Sequence, residues 1–113
     1  MKEYLYQTYG RPIGLGLVER LNCFADKGWK VKNLEKVEQK VHYLLERLVG
    51  DSYKEVEYRY WSLTHPSDNV VTNKLNKSAT EGWEVMLLER IGNKTHCLME
   101  RRVNDRTSCK QFI

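Results

Sequence analysis

The sequence predicts an α+β protein of two tandem βαββ repeats. These should form an antiparallel sheet system of about six strands, with two helices packed on one face and a pseudo-twofold axis between the halves. Three observations predict it. Displaced by about 54 positions, the chain matches itself without a gap from Glu3–Val49 onto Glu57–Val103; about 18 of roughly 47 pairs are identical, where unrelated sequence would give about three. Within each copy the apolar spacing changes from two residues, to three and four, and back to two. Each helical stretch then runs into a glycine followed by tryptophan, Gly28-Trp29 and Gly82-Trp83, the order expected of a helix stop and a strand start.

The elements follow in order. Glu3–Tyr9 alternates tyrosine with polar residues and reads as a half-buried strand, and Glu55–Leu63 is its counterpart. Leu17, Leu21 and Ala25, flanked by Val18 and Phe24, make an apolar helical stripe that stops at Gly28. In the second copy Ser67-Asp68-Asn69 offer caps and Val71, Leu75 and Ala79 the stripe, which stops at Gly82. Both helices are about three turns long, each with glycine as the C′ residue, where a positive φ costs little. The second strands are Trp29–Glu35 and Trp83–Arg90; polar turns at Glu38-Gln39 and Gly92-Asn93 lead back into antiparallel third strands, Val41–Leu48 and Thr95–Arg102. The join, Val49–Lys54, is too short for a flexible linker. Residues 1–103 therefore read as one domain built from repeats 3–49 and 57–103, and residues 104–113 as a polar, basic, disorder-prone tail. A lone unit of about 50 residues buries too little to stand by itself, so the halves should close around a common interior holding Trp29 and Trp83.

Composition bounds the function. At 113 residues, 41% hydrophobic and 30% charged, the chain can bury a core without metal or disulfide staples. Mean hydropathy is −0.66, and no apolar run approaches the ~18 residues of a spanning helix. Met1-Lys2-Glu3-Tyr4 enters strand-like sequence with no apolar leader, which points to the cytoplasm. Cys23, Cys97 and Cys109 are odd in number and lack CxxC spacing, so they read as reduced thiols and not as a zinc knuckle or disulfide frame. A net charge of +4 accommodates an anionic partner without demanding one.

The run Leu75-Asn76-x-x-Ala79-x-Glu81-Gly82-Trp83-Glu84-Val85, followed by a hairpin ending in Glu100-Arg101-Arg102, resembles a family of small bacterial and phage βαββ domains of unknown function. The second copy carries the pattern well, and the first departs from it at Lys27 and Lys30, where the family usually has acidic residues. The resemblance implies the fold for nearly the whole chain to Val103 and brings no catalytic residue with it. The tandem form is also similar to accessory proteins of mobile elements.

Chemistry-bearing patterns are few. His42 and His96 match, each four residues from Glu46 or Glu100 on one strand face. Brought together by a twofold, they would suit a divalent metal or acid–base work, but no third ligand motif supports this and exposed sheet faces carry the same residues. Nucleophile motifs such as GxSxG are absent. Gly10-Arg11-Pro12-Ile13-Gly14-Leu15-Gly16 precedes a helix, yet it lacks GxGxxG and the Walker lysine, and Thr64-His65-Pro66-Ser67-Asp68 has no glycine at all. Aromatic and basic residues interleave more suggestively: Tyr4, Tyr6, Tyr9 and Arg11 in one copy and Tyr58, Arg59, Tyr60 and Trp61 in the other, with Arg47, Arg101 and Arg102 on neighbouring strands. Such a face can stack bases and neutralise phosphates. A sheet with helices on one side also leaves its other side to be covered by a partner or a second copy. The leading expectation is thus a non-enzymatic binding or regulatory protein without cofactor, such as a phage-type accessory inhibitor of a host protein, or a homodimer. The alternative is a binder of RNA, single-stranded DNA or a nucleotide, and the weakest reading a metal-dependent hydrolase using His42, His96, Glu46 and Glu100.

Overall fold

The computed structural model describes residues 1–50 and 52–103; the expectations for the tail and for Cys109 lie outside the described residues. Elements run β1 (Lys2–Tyr9), α1 (Leu15–Ala25), β2 (Lys30–Val37), β3 (Lys40–Leu48), β4 (Val56–Thr64), α2 (Asp68–Thr80), β5 (Glu84–Ile91) and β6 (Lys94–Arg102). This is the α+β class with two βαββ units. The strands form two antiparallel three-stranded sheets, β1-β3-β2 and β4-β6-β5. Their registers repeat: Tyr4 lies opposite Glu46 as Tyr58 lies opposite Glu100. The irregularity also repeats, between Val31 and Asn33 and between Val85 and Leu87.

Both helices end alike. Gly28 and Gly82 take φ +91°, a conformation that only glycine adopts cheaply. There the N–H of Trp29 reaches the Phe24 carbonyl and that of Trp83 the Ser78 carbonyl, each at 3.1 Å, while the two glycine N–H groups bond Ala25 and Ala79 at 3.0 Å. This paired closure satisfies carbonyls that a helix end leaves bare. An arginine secures it in both units. Arg47 stacks 4.2 Å over the Trp29 ring, donates to the Lys27 carbonyl at 2.8 Å and pairs with Glu3 across the strands. Arg101 does the same with Trp83, the Glu81 carbonyl and Glu57. Both indoles are buried.

The two units meet head to tail. Alternation along β6 puts Leu98 on one face of the second sheet and Cys97 and Met99 on the other. Leu98, Val56 and Tyr58 join α1 (Leu17, Val18, Leu21, Ala25) and Val41, Tyr43 and Leu45 of the first sheet in one core. Cys97 and Met99 form a second core with Trp83, Trp61 and Leu75 of α2. The layers therefore run first sheet, α1, second sheet, α2, and the helices lie on opposite faces of the second sheet. The sequence suggested helices on one face, a twofold and a shared interior for the indoles; instead Trp29 and Trp83 each occupy their own core. The physical reason is in α1. Leu17, Leu21 and Phe24 form one apolar side, and Val18 and Ala25 widen it toward the next sheet, so the helix is apolar enough to be buried between two sheets. In α2 the corresponding outer positions are Thr72, Asn76 and Ala79, all exposed.

Polar contacts fix the joint. β4 is an edge strand, and Asn22 of α1 fits its outward amide: Nδ2 donates to the Tyr58 carbonyl at 3.0 Å and Oδ1 accepts from the Tyr58 N–H at 2.8 Å. Lys36 of β2 forms an ion pair with Glu89 of β5. Among the described residues no helix is long and apolar enough to cross a membrane. Replacing Asn22 with Ala removes two partly buried hydrogen bonds and is expected to cost about 2 kcal/mol. Asn76→Ala, at the matching exposed position, should change stability by less than about 0.5 kcal/mol. Urea unfolding of both variants checks the pair, and equal costs would contradict the head-to-tail joint.

Candidate functional site

The same β-strand pattern produces two equivalent sheet faces with opposite fates. On the second sheet, Tyr58, Tyr60, Leu98 and Glu100 lie beneath the first unit, and Tyr58 is 4% exposed. On the first sheet, the matching face carries Tyr4, Tyr6, Leu44 and Glu46, and among the described residues no helix or second sheet packs on it. Tyr4 is 56% exposed and Tyr6 60%. A shallow groove on this open face is lined by Tyr6, Asn33, Glu35, Val37, His42 and Leu44. Tyr6 stacks on His42 and hydrogen-bonds its Nδ1, which Thr8 Oγ1 also approaches at 3.2 Å. Tyr60 and His96 repeat the pairing at 2.6 Å on the buried face.

The covered face shows how the same positions are used where the two units meet. Tyr58 Oη accepts the Val31 N–H at 2.8 Å and donates to Glu100 Oε2 at 2.9 Å. Val31 sits at the strand irregularity, so its amide points out of the first sheet and into this hydroxyl. On the open face the hydroxyl of Tyr4 makes no such pair. Glu46, Glu100's counterpart, is buried, and its Oε1 lies 3.5 Å from Lys2 Nζ. Its Oε2 has no hydrogen-bond partner among the described residues.

Of the residues singled out from the sequence, the structure brings Tyr4, Tyr6, His42 and Glu46 to this face. Tyr58 and Tyr60 are spent inside the molecule. Trp61 lies under α2, with Lys74 over its ring and its Nε1 donating to Met99 Sδ at 3.2 Å. Arg47 and Arg101 are held in the helix-end clamps described above. Arg11 is exposed in the β1–α1 loop and Arg102 at the end of β6, so the basic residues do not converge with the tyrosines. Leu44, Asn33 and Glu35, which the sequence reading did not single out, also belong to the face. The signal that would have found them is the strand period itself, which places Tyr4 with Tyr6 and His42 with Leu44 and Glu46, once it is known which sheet α1 covers.

His42 and His96 lie one unit apart, on faces separated by the first sheet and α1, and among the described residues no three His, Cys, Asp or Glu gather into a cluster able to hold a metal ion. The glycine-bearing loop also has a packing explanation. A Cβ at Gly16 would stand 2.3 Å from Tyr9 Oη, so glycine lets the tyrosine lie against the start of α1.

Two ionisable groups at the joint are shifted. Burial holds the Tyr58 phenol far above its ordinary value, and the Glu100 carboxylate beside it pushes the same way. Glu100 is itself raised, chiefly by burial and also by nearby Glu84, against the opposing pull of the Tyr58 hydroxyl and Lys30. Folded protein thus holds this proton more tightly than unfolded chain. The contribution to stability is complete below the ordinary glutamate value and is lost as pH rises through the raised one. Glu100→Gln should accordingly flatten the decline in urea midpoint that sets in as pH rises above the ordinary glutamate value, about 4; a variant that tracks the wild type there would show that Glu100 is not the group responsible. Compared with known proteins, the chain matches no family model, no curated sequence and no solved structure.

Proposed function

We propose that the chain is a non-enzymatic binding protein that engages another protein surface through the open face of its first sheet. It would work as an accessory modulator or inhibitor does, by occupying its target. One observation carries this reading: the equivalent face of the second sheet is filled, through the same tyrosines and the same glutamate position, by a helix and a strand edge. A face with two exposed tyrosines around a leucine supplies rigid, amphipathic contact area at small entropic cost. Arg47 and Arg101 do not serve an anionic ligand, since both are committed to glutamate, carbonyl and indole, whereas Lys2 and Lys40 stand exposed on the same side of the sheet.

The test is affinity capture followed by reconstitution with the purified partner. Tyr6→Lys should weaken the reconstituted complex at least about tenfold, as expected of an aromatic anchor, while Arg11→Ala leaves it unchanged. If binding instead falls with Arg11→Ala and with added salt, while Tyr6→Lys is silent, the ligand is an anion recognised elsewhere and the reading fails.

A further inference from the structure

Each chain carries both halves of its own internal joint a second time, and among the described residues neither of these second halves is covered. The side of the joint that docks is α1 with β2; its equivalent is the outer surface of α2 with β5. The side that receives is the tyrosine face of the second sheet; its equivalent is the open face of the first. Resting on the reading of that face as a binding surface, we propose that its occupant is the α2–β5 surface of a second copy of this chain, joined head to tail as the two units are joined within one molecule.

The key residues recur at both ends. Asn22, which clamps the Tyr58 backbone, corresponds to Asn76, exposed on α2, and Tyr58 corresponds to exposed Tyr4. The cross-unit ion pair Lys36–Glu89 corresponds to Arg90 and Glu35, so the charges are complementary in the same sense. Arg90 lies on β5, on the docking side, and Glu35 lines the groove of the receiving side. Val31, whose amide meets the Tyr58 hydroxyl, corresponds to Val85, 47% exposed. Glu46 is the most direct sign. It is 6% exposed with an unpartnered Oε2, and its counterpart Glu100 receives there the tyrosine hydroxyl that docking turns inward. A second chain would draw the Tyr4 hydroxyl onto Glu46 by offering it the Val85 N–H.

Some apolar positions of the internal joint are polar at the ends: Val18 becomes Thr72, Val56 becomes Lys2, and Leu87 becomes Asn33. The contact between chains is therefore weaker and reversible. It is also heterologous, with different surfaces meeting, so association continues past two copies as an open chain or closes as a ring.

Sedimentation from about 10 μM to about 1 mM, the range for weak polar contacts, tests this. Wild type should grow in mass with concentration beyond the dimer, as a ladder or one ring. Ala79→Arg, on the docking side, and Tyr4→Ala, on the receiving side, should each be folded and monomeric, since both side chains are exposed in the single chain. Mixed, they should give one species of twice the chain's mass, because one intact surface of each kind remains. Arg90→Glu and Glu35→Lys should each lower the association and, combined in one chain, restore it. A wild type that stays monomeric, that stops at a dimer, or whose two variants fail to complement each other overturns the proposal. The protein-binding reading of the open face is decided separately, by Tyr6→Lys against a reconstituted partner.

Discussion

Burial of α1 between two sheets is the constraint from which the rest of the molecule follows. One side of the helix closes the first sheet through Leu17, Leu21 and Phe24, and the adjoining side, with Val18 and Ala25, closes the second. Fully burying each large apolar side chain contributes about 1.5–3 kcal/mol, so neither unit keeps its stability without the other. The second unit alone would bare Val56, Tyr58 and Leu98, and the first alone would bare the outer side of α1. The short join allows one unit to be placed on the next, and Asn22 and the Lys36–Glu89 pair set the register of that placement.

Much of this was legible in the sequence. The repeat gave the element order, Gly28 and Gly82 marked both helix ends, and the tryptophans were assigned to the interior correctly. These features are local: a positive φ, a strand period and a helical stripe are written within a few residues of one another. What the sequence did not reveal was the direction of stacking, because equivalent positions need not have equivalent surroundings. Tyr4 of β1 and Tyr58 of β4 hold equivalent positions in equivalent strands, one largely exposed and one under a helix. Arg47 and Arg101 looked like free cations for the same reason. Their partners Glu3 and Glu57 lie across the sheet, a separation that only the register resolves. Val18 and Ala25 held the one available clue, since a second apolar side on a helix asks for a second layer.

The duplicated architecture also acts as its own control. Every contact of the joint can be compared with the same residues left unpaired at an end of the molecule. The comparison separates what a side chain needs for its own unit from what it offers to a neighbour. The Arg–Trp clamp is present in both units and belongs to the unit. The tyrosine hydroxyl that bridges a main-chain amide and a glutamate exists only where units meet, and so belongs to the joint. Sequence drift has followed this division: the clamp is identical in the two copies, whereas the outward surfaces of α2 and β1 have become more polar than their covered counterparts.

Because the joint has a direction, it imposes no limit on how many units a single polypeptide can hold. A gene that copied one unit again, in frame, would lengthen the stack without altering either neighbour, as in solenoid arrays whose stability is a sum over units and nearest-neighbour contacts. Seen in this way, the two units are consecutive members of a series. The fold can lengthen by gene duplication alone, with no new interface to be invented.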